Sequence, residues 1–209
     1  MNMNAQTTSD DRRRYRQTAR AAAAEATVER VREAFAARLN AGWFDEIRLE
    51  DVARDAGVTV QTVIRRFGGK EGLLEAVIER MADEIPSRRR STRGDIAGIV
   101  HALIEDYEVT GDLTLRMLAQ EDRYPILRRF TDRGRRMHRD LVEANFAPWL
   151  DGQPAETARR RLDGLVVALD VYVWKLIRRD MRRPILELQA LMERLAAAVL
   201  STADPETRP

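Results

Sequence analysis

The chain contains no cysteine, which excludes disulfides and thiolate metal sites. It has only two histidines, His101 and His138, and neither stands in a metal-ligand or nucleophile spacing, so each reads as a surface or packing residue. Glycine-rich phosphate loops are missing too, because Gly68, Gly69 and Lys70 lack both the spacing and the preceding strand of one. Catalysis is therefore not expected, and no metal or cofactor is implied. No apolar run reaches the roughly 20 residues that a membrane span needs, and the opening MNMNAQTTSDDRRR is polar. A cytoplasmic protein without membrane contact is the expectation. Strand-like alternation, internal repeats and low-complexity segments are absent as well, which leaves an all-α chain.

What is present is a chain of 209 residues with 44% hydrophobic content, long enough for a sizeable core. Its formal net charge of +2 decides nothing. Local charge is more informative: Arg12, Arg13, Arg14, Arg16 and Arg20 follow one another with no acid between them. Residues 1–22 read either as a solvated disordered tail or as a basic arm that follows phosphates or enters a minor groove. Both readings expect it to lack order without DNA.

Residues 57–74, GVTVQTVIRRFGGKEGLL, carry the strongest signal. Leu49, Val52, Ala53 and Ala56 recur at helical spacing, and Gly57 stands just past them, where a helix ends in a left-handed turn. Thr59 can cap the next helix through its hydroxyl, with Val58 and Val63 placed as a hydrophobic staple. Val63 and Phe67, four apart, face inward and leave Val60, Gln61, Thr62, Arg65 and Arg66 largely outward. Gln61 offers a donor and an acceptor to an adenine edge, Val60 and the Thr62 methyl can touch a thymine methyl, and Arg65 or Arg66 can clamp guanine or phosphate. Two short helices about a glycine turn also occur in proteins that never meet nucleic acid, so spacing alone leaves both readings open.

Residues 23–78 resemble the amino-terminal domain of the tetracycline-repressor-like (TetR) family of bacterial transcription regulators. The matching marks are a first helix ending at Gly42 before Trp43 and Phe44, then DVARDAGV, TVQTVIRRF and GGKEGLLEAVI. The resemblance implies an all-helical homodimer whose recognition helices enter successive major grooves of a palindromic operator. It also implies a larger carboxy-terminal domain that often binds a small-molecule effector. Lys70 takes the place of the family's phosphate-contacting lysine, and the recognition positions fall on Val60, Gln61, Thr62, Arg65 and Arg66. Two residues depart from the pattern. Ile64 stands where the family usually has a tyrosine, so a phosphate or sugar contact is lost or replaced. Ile47 and Arg48 stand where helix two usually has a serine or threonine cap, so that helix frays more or turns Arg48 onto the DNA backbone.

The expected organisation is a basic arm (1–22), a three-helix DNA-binding domain (23–70), a connecting helix and linker (71–93), and a helical effector-binding and dimerisation domain (94–209). Helix four is expected to stop before Pro86, and the next helix to end at Gly111, ahead of a shorter one, LTLRMLAQE. A long helix follows Pro125. The stretch 162–179 is apolar almost all round, interrupted only by Asp170, and 183–200 carries apolar residues beyond one stripe. Such helices are either buried within one chain or paired with a second copy. The second reading puts Leu165, Leu169, Tyr172, Leu176, Leu188, Leu191 and Leu195 in a four-helix dimer interface.

Tyr107, Met117, Tyr124, Phe130, Met137, Phe146 and Trp149 are the expected lining of an apolar effector pocket, although residues at such spacing also make plain core. The leading functional reading is a repressor released from its palindromic operator by a small apolar ligand. Its alternatives are an effector-free DNA-binding regulator and a helical interaction module without DNA binding.

Overall fold

The computed structural model describes residues 4–201, with side chains from Gln17 onward. The side chains of Arg12, Arg13, Arg14 and Arg16 lie outside the described residues, while Arg20 is exposed on the first helix. The structure is all-α, with no strand among the described residues. Its helices are α1 (Asn4–Ala41), α2 (Leu49–Asp55), α3 (Val60–Phe67), α4 (Lys70–Arg88), α5 (Ile96–Gln120), α6 (Pro125–Leu150), α7 (Ala155–Ala168), α8 (Val171–Lys175) and α9 (Ile185–Ser201). A short 3-10 turn, Phe44–Glu46, precedes α2, and a π-helical turn, Leu176–Asp180, continues α8. α1 takes in residues 4–22, which the sequence sets apart as an arm.

The chain divides into two compact units, Met1–Glu79 and Arg80–Pro209, so the division falls within α4. In the first unit Val31, Phe35 and Leu39 of α1 meet Phe44, Val52, Val63, Leu73 and Leu74 in one core, all at 3% exposure or less. Polar ties fix α1 against α2: Arg38 holds Asp55, with Nη2 at 2.6 Å, and Arg30 Nε donates to the Ala56 carbonyl at 3.2 Å. The latter satisfies a carbonyl at the end of α2 that has no partner within the helix.

The second unit is built around α5, which packs on α6, α8 and α9, with α7 against α6 and α9. Its apolar core joins Ile104 and Tyr107 of α5, Phe146 of α6, Leu165 of α7, Trp174 of α8 and Met192 of α9. α5 is a single helix rather than two, because Gly111 lies within it and serves packing, not termination. A Cβ there would stand 2.6 Å from the Trp174 ring, so the site must be bare. α4 likewise passes Pro86: the proline is exposed, and the Arg89 amide still donates to the Ile85 carbonyl at 2.9 Å. Arg88 and Arg89 at that end each reach the buried Asp106 carboxylate at 2.7 Å. The expected helix 162–179 is divided at Asp170, whose side chain accepts the Tyr172 amide at 2.9 Å and caps α8. The carboxylate that looks like an interruption in an apolar stretch is a helix start.

Candidate functional site

The geometry of α3 follows from its flanks. Gly57 adopts φ +66°, a left-handed conformation that costs a residue with a Cβ, and the chain reverses there after α2. Thr59 is extended, and its Oγ1 accepts the Thr62 amide at 3.2 Å, the cap that the sequence leads one to expect. Gly68 closes α3 at φ +78°, with its amide donating to the Ile64 carbonyl at 2.8 Å. Val63 anchors the inner face at 0% exposure. α3 is therefore held at both ends and pinned from beneath, and its outward side chains have one orientation to offer.

Those outward residues are Gln61, Ile64, Arg65 and Arg66, all exposed; Val60 and Thr62 are half-buried. The Thr62 hydroxyl lies 2.9 Å from Thr59 Oγ1, so it is engaged in the cap instead of facing a groove. Arg48 is exposed at the start of α2, which has no side-chain cap, in keeping with the missing serine or threonine. Lys70 opens α4 half-buried, with Nζ 4.5 Å above the Phe44 ring and donating to the Asp45 carbonyl at 3.2 Å. Loss of hydration pulls its pKa below the ordinary lysine range, partly opposed by the Asp45 charge. One small domain thus carries a rigid recognition helix with a guanidinium at the start of α2 and an ammonium at the start of α4. Ile64 was read only as a lost contact. Its exposure is the signal that periodicity had already placed it on the outward face.

The residues expected to line an effector pocket do not converge. Tyr107 is core, its hydroxyl donating to the Leu169 carbonyl at 3.1 Å, and burial pushes that phenol's pKa upward. Phe146 and Met117 are also buried, whereas Tyr124, Phe130, Met137 and Trp149 are half-buried covers. A cleft of about 20 Å³ instead lies among Arg89, Ser91, Leu103, His138, Asn145 and Leu169, with none of the seven expected residues in its lining. His138 is 8% exposed; its Nε2 lies 3.2 Å from the Val166 carbonyl, and its buried Nδ1 has no protein partner. Desolvation first, then the Arg89 charge, lowers its pKa and favours the neutral ring, which donates through Nε2 and leaves Nδ1 an acceptor.

The dimer-interface set needs a correction. Leu165, Leu169 and Leu188 are 0% exposed inside one chain's own core and have no surface left for a second copy. Tyr172, Leu176 and Leu195 are exposed and Leu191 is half-buried, joined on the surface by Val167, Met181, Ile185 and Leu186, the last at 79%. A groove lined by Ile177, Met181, Leu186, Ala190 and Leu191, with Arg183, Glu187 and Arg194 also in its lining, runs along α9. Helical spacing showed that these helices are apolar on several sides, but not which side their own chain would cover.

A capped helix-turn-helix on an all-helical chain defines a DNA-binding regulator of the bacterial repressor type. The family described as "Bacterial regulatory proteins, tetR family" matches residues 44–77, which span α2, α3 and the first turns of α4. Proteins named HTH-type transcriptional regulator BetI, from Burkholderia mallei (strain NCTC 10229) and Burkholderia pseudomallei (strain K96243), are each 31% identical to this chain over 134 residues, or 58% of this chain and 67% of theirs. No solved structure matches the chain. The chain belongs to the TetR family of transcription regulators. Regulators of this family are in general not enzymes. No described helix is long and apolar enough to cross a membrane, and no group of three His, Cys, Asp or Glu among the described residues could hold a metal ion.

Proposed function

We propose that this regulator represses by occupying a palindromic operator as a homodimer in the cytoplasm, with α3 of each copy in a major groove. The observation that carries this reading is the fixed, outward face of α3, where Gln61, Arg65 and Arg66 meet solvent. Arg48 and Lys70 supply positive charge for the phosphates on either side, and the Thr59 hydroxyl, already used as a cap, holds the helix in place. The second copy docks on the exposed apolar surface of Val167, Tyr172, Leu176, Met181, Leu186 and Leu195.

Relief of repression by a small ligand fits the cleft beside His138 better than the aromatic set. That cleft as it stands admits one water-sized molecule, so an effector has to open it. The neutral Nδ1 acceptor selects a ligand with a hydrogen-bond donor among apolar walls. A ligand that binds there and releases DNA must itself be weakened by operator DNA to the same degree.

Footprinting of the full chain on the DNA upstream of its own gene tests the core of the proposal. Two symmetric protected half-sites, one major-groove turn or so apart, support it; protection of a single half-site by a monomer, or no sequence preference, overturns it. Thermal-shift screening followed by operator release tests the ligand reading, which fails if compounds that release the operator act unchanged on His138→Phe.

A further inference from the structure

Resting on the DNA-binding reading above, we propose that Ile64 is a base-reading residue, which with Val60 recognises the 5-methyl group of a thymine in each half-site. The inference begins with exposure. Ile64 is 41% exposed on an otherwise tightly held helix, while its neighbour Val63 is 0% exposed. No residue of the first unit covers it more fully, and a large branched apolar side chain gains nothing from solvent.

Spacing then gives it company. Val60 and Ile64 are four residues apart and form one ridge along α3; Gln61 and Arg65 form the parallel ridge one residue on. The outward face is therefore half apolar and half hydrogen-bonding. In a major groove the hydrogen-bonding half has donors and acceptors to meet on every base pair. The apolar half has one complementary feature, the C5-methyl of thymine. Charge on the same unit fixes the occupant of this apolar ridge as nucleic acid: Arg65 and Arg66 flank it on α3, with Arg48 exposed at the head of α2.

Thr62, whose methyl looks from sequence like a partner for thymine, is half-buried with its hydroxyl turned to Thr59. That leaves Ile64 as the larger apolar group available. Isoleucine also holds essentially one χ1 rotamer in a helix, so it presents a fixed shape and loses little freedom on contact. The absence of the family's tyrosine is then an exchange of functions: a backbone contact is given up and a base contact is gained.

The test uses the full chain. A duplex is selected from a randomised library, and each thymine of it is replaced in turn by deoxyuridine, which removes the methyl and nothing else from the groove edge. At one thymine per half-site, deoxyuridine should weaken wild-type binding about fourfold, the size of one buried methyl-like group, and on the order of tenfold when both half-sites lose it. Ile64→Ala should bind the thymine and deoxyuridine duplexes equally, and Ile64→Val should keep part of the discrimination. Circular dichroism confirms that these exposed-site variants fold. If a duplex is selected but deoxyuridine costs nothing anywhere, or costs the same in Ile64→Ala, the assignment of Ile64 is wrong while DNA binding stands. If no duplex is enriched, both readings fall.

Discussion

Gly111 of α5 and Trp174 of α8 stand so close that a Cβ on the glycine would lie 2.6 Å from the indole Cζ3. The indole cannot retreat, because its Nε1 donates to Glu108 at 2.7 Å and Arg179 lies 4.3 Å over its face. Glu108 is in turn gripped by Arg178, whose guanidinium lowers its pKa and keeps it charged. Gly111→Ala should therefore destabilise the fold by about 1–3 kcal/mol despite alanine's better helix propensity. Gly134, inside α6 with nothing within 4 Å of its missing Cβ, makes the contrast. There Gly134→Ala should stabilise by roughly 0.5–1 kcal/mol. Urea unfolding followed by far-UV circular dichroism measures both; equal signs would mean that α5 is not packed against Trp174 in this way.

How far the sequence carried the fold can be judged from such positions. α2, the turn and α3 were legible because their cues are local: Gly57 ends one helix, Thr59 caps the next, and Val63 marks the inner face. α6 was legible from Pro125. Gly111 was misleading because the reason for it, Trp174, lies 63 positions away in the chain. Asp170 did carry a local signal, that of an N-cap, but the apolar residues around it outweighed that signal. The recognition face of the candidate site was visible in helical spacing, whereas the buried state of Leu165, Leu169 and Leu188 was not. An apolar residue looks the same whether its own chain or a second copy covers it.

Asp106 presents a second testable relationship. Its carboxylate is 1% exposed and accepts from Arg88 Nε and Arg89 Nε, each at 2.7 Å. Asp106→Asn would leave two partly buried guanidiniums facing an amide. A loss of about 3–5 kcal/mol is expected from breaking a buried pair in this way. By contrast Arg159→Ala, which removes solvent-exposed pairs with Glu156 and Asp163, should leave the unfolding midpoint unchanged. A benign Asp106→Asn would show that the two arginines find other partners.

His138 makes stability depend on pH with a definite sign. Its folded pKa is lowered by burial and by the Arg89 charge, with Asp170 and the Val166 carbonyl opposing. The unfolded ring, near its ordinary value of about 6.5, takes up a proton first. Stability is therefore complete above that value and declines as pH falls below it towards the folded pKa. Thermal melts should show a shallower decline between about pH 7 and about pH 5.5 for His138→Gln than for the wild type. An identical slope would mean that the folded ring titrates normally.

For the dimer, the burial pattern separates two kinds of leucine. Leu186 is 79% exposed and Leu169 is 0% exposed. Leu186→Asp should give a folded monomer, since the charge remains in water until a partner tries to cover it. Leu169→Asp should abolish folding, since an unpaired carboxylate in that core costs several kcal/mol. Sedimentation with circular dichroism distinguishes the outcomes, and a Leu186→Asp protein that stays dimeric would move the interface away from this end of α9.

At the DNA, Gln61 and Lys70 should fail differently. Gln61 is exposed on the recognition face and can exchange two hydrogen bonds with an adenine edge. Gln61→Ala should cost about 1–3 kcal/mol on the selected operator and relax the preference at one position per half-site. Lys70, half-buried over Phe44, reaches only backbone-level partners in the free protein and has a charge suited to phosphate. Lys70→Ala should weaken all duplexes by a similar factor and reduce the salt dependence of binding by about one counterion per half-site, because each lost phosphate contact leaves one cation condensed on the DNA. Binding isotherms at several salt concentrations, on the operator and on a scrambled duplex, measure both quantities. If Gln61→Ala weakened both duplexes alike, or Lys70→Ala changed the base preference, the roles given to the two side chains would be reversed.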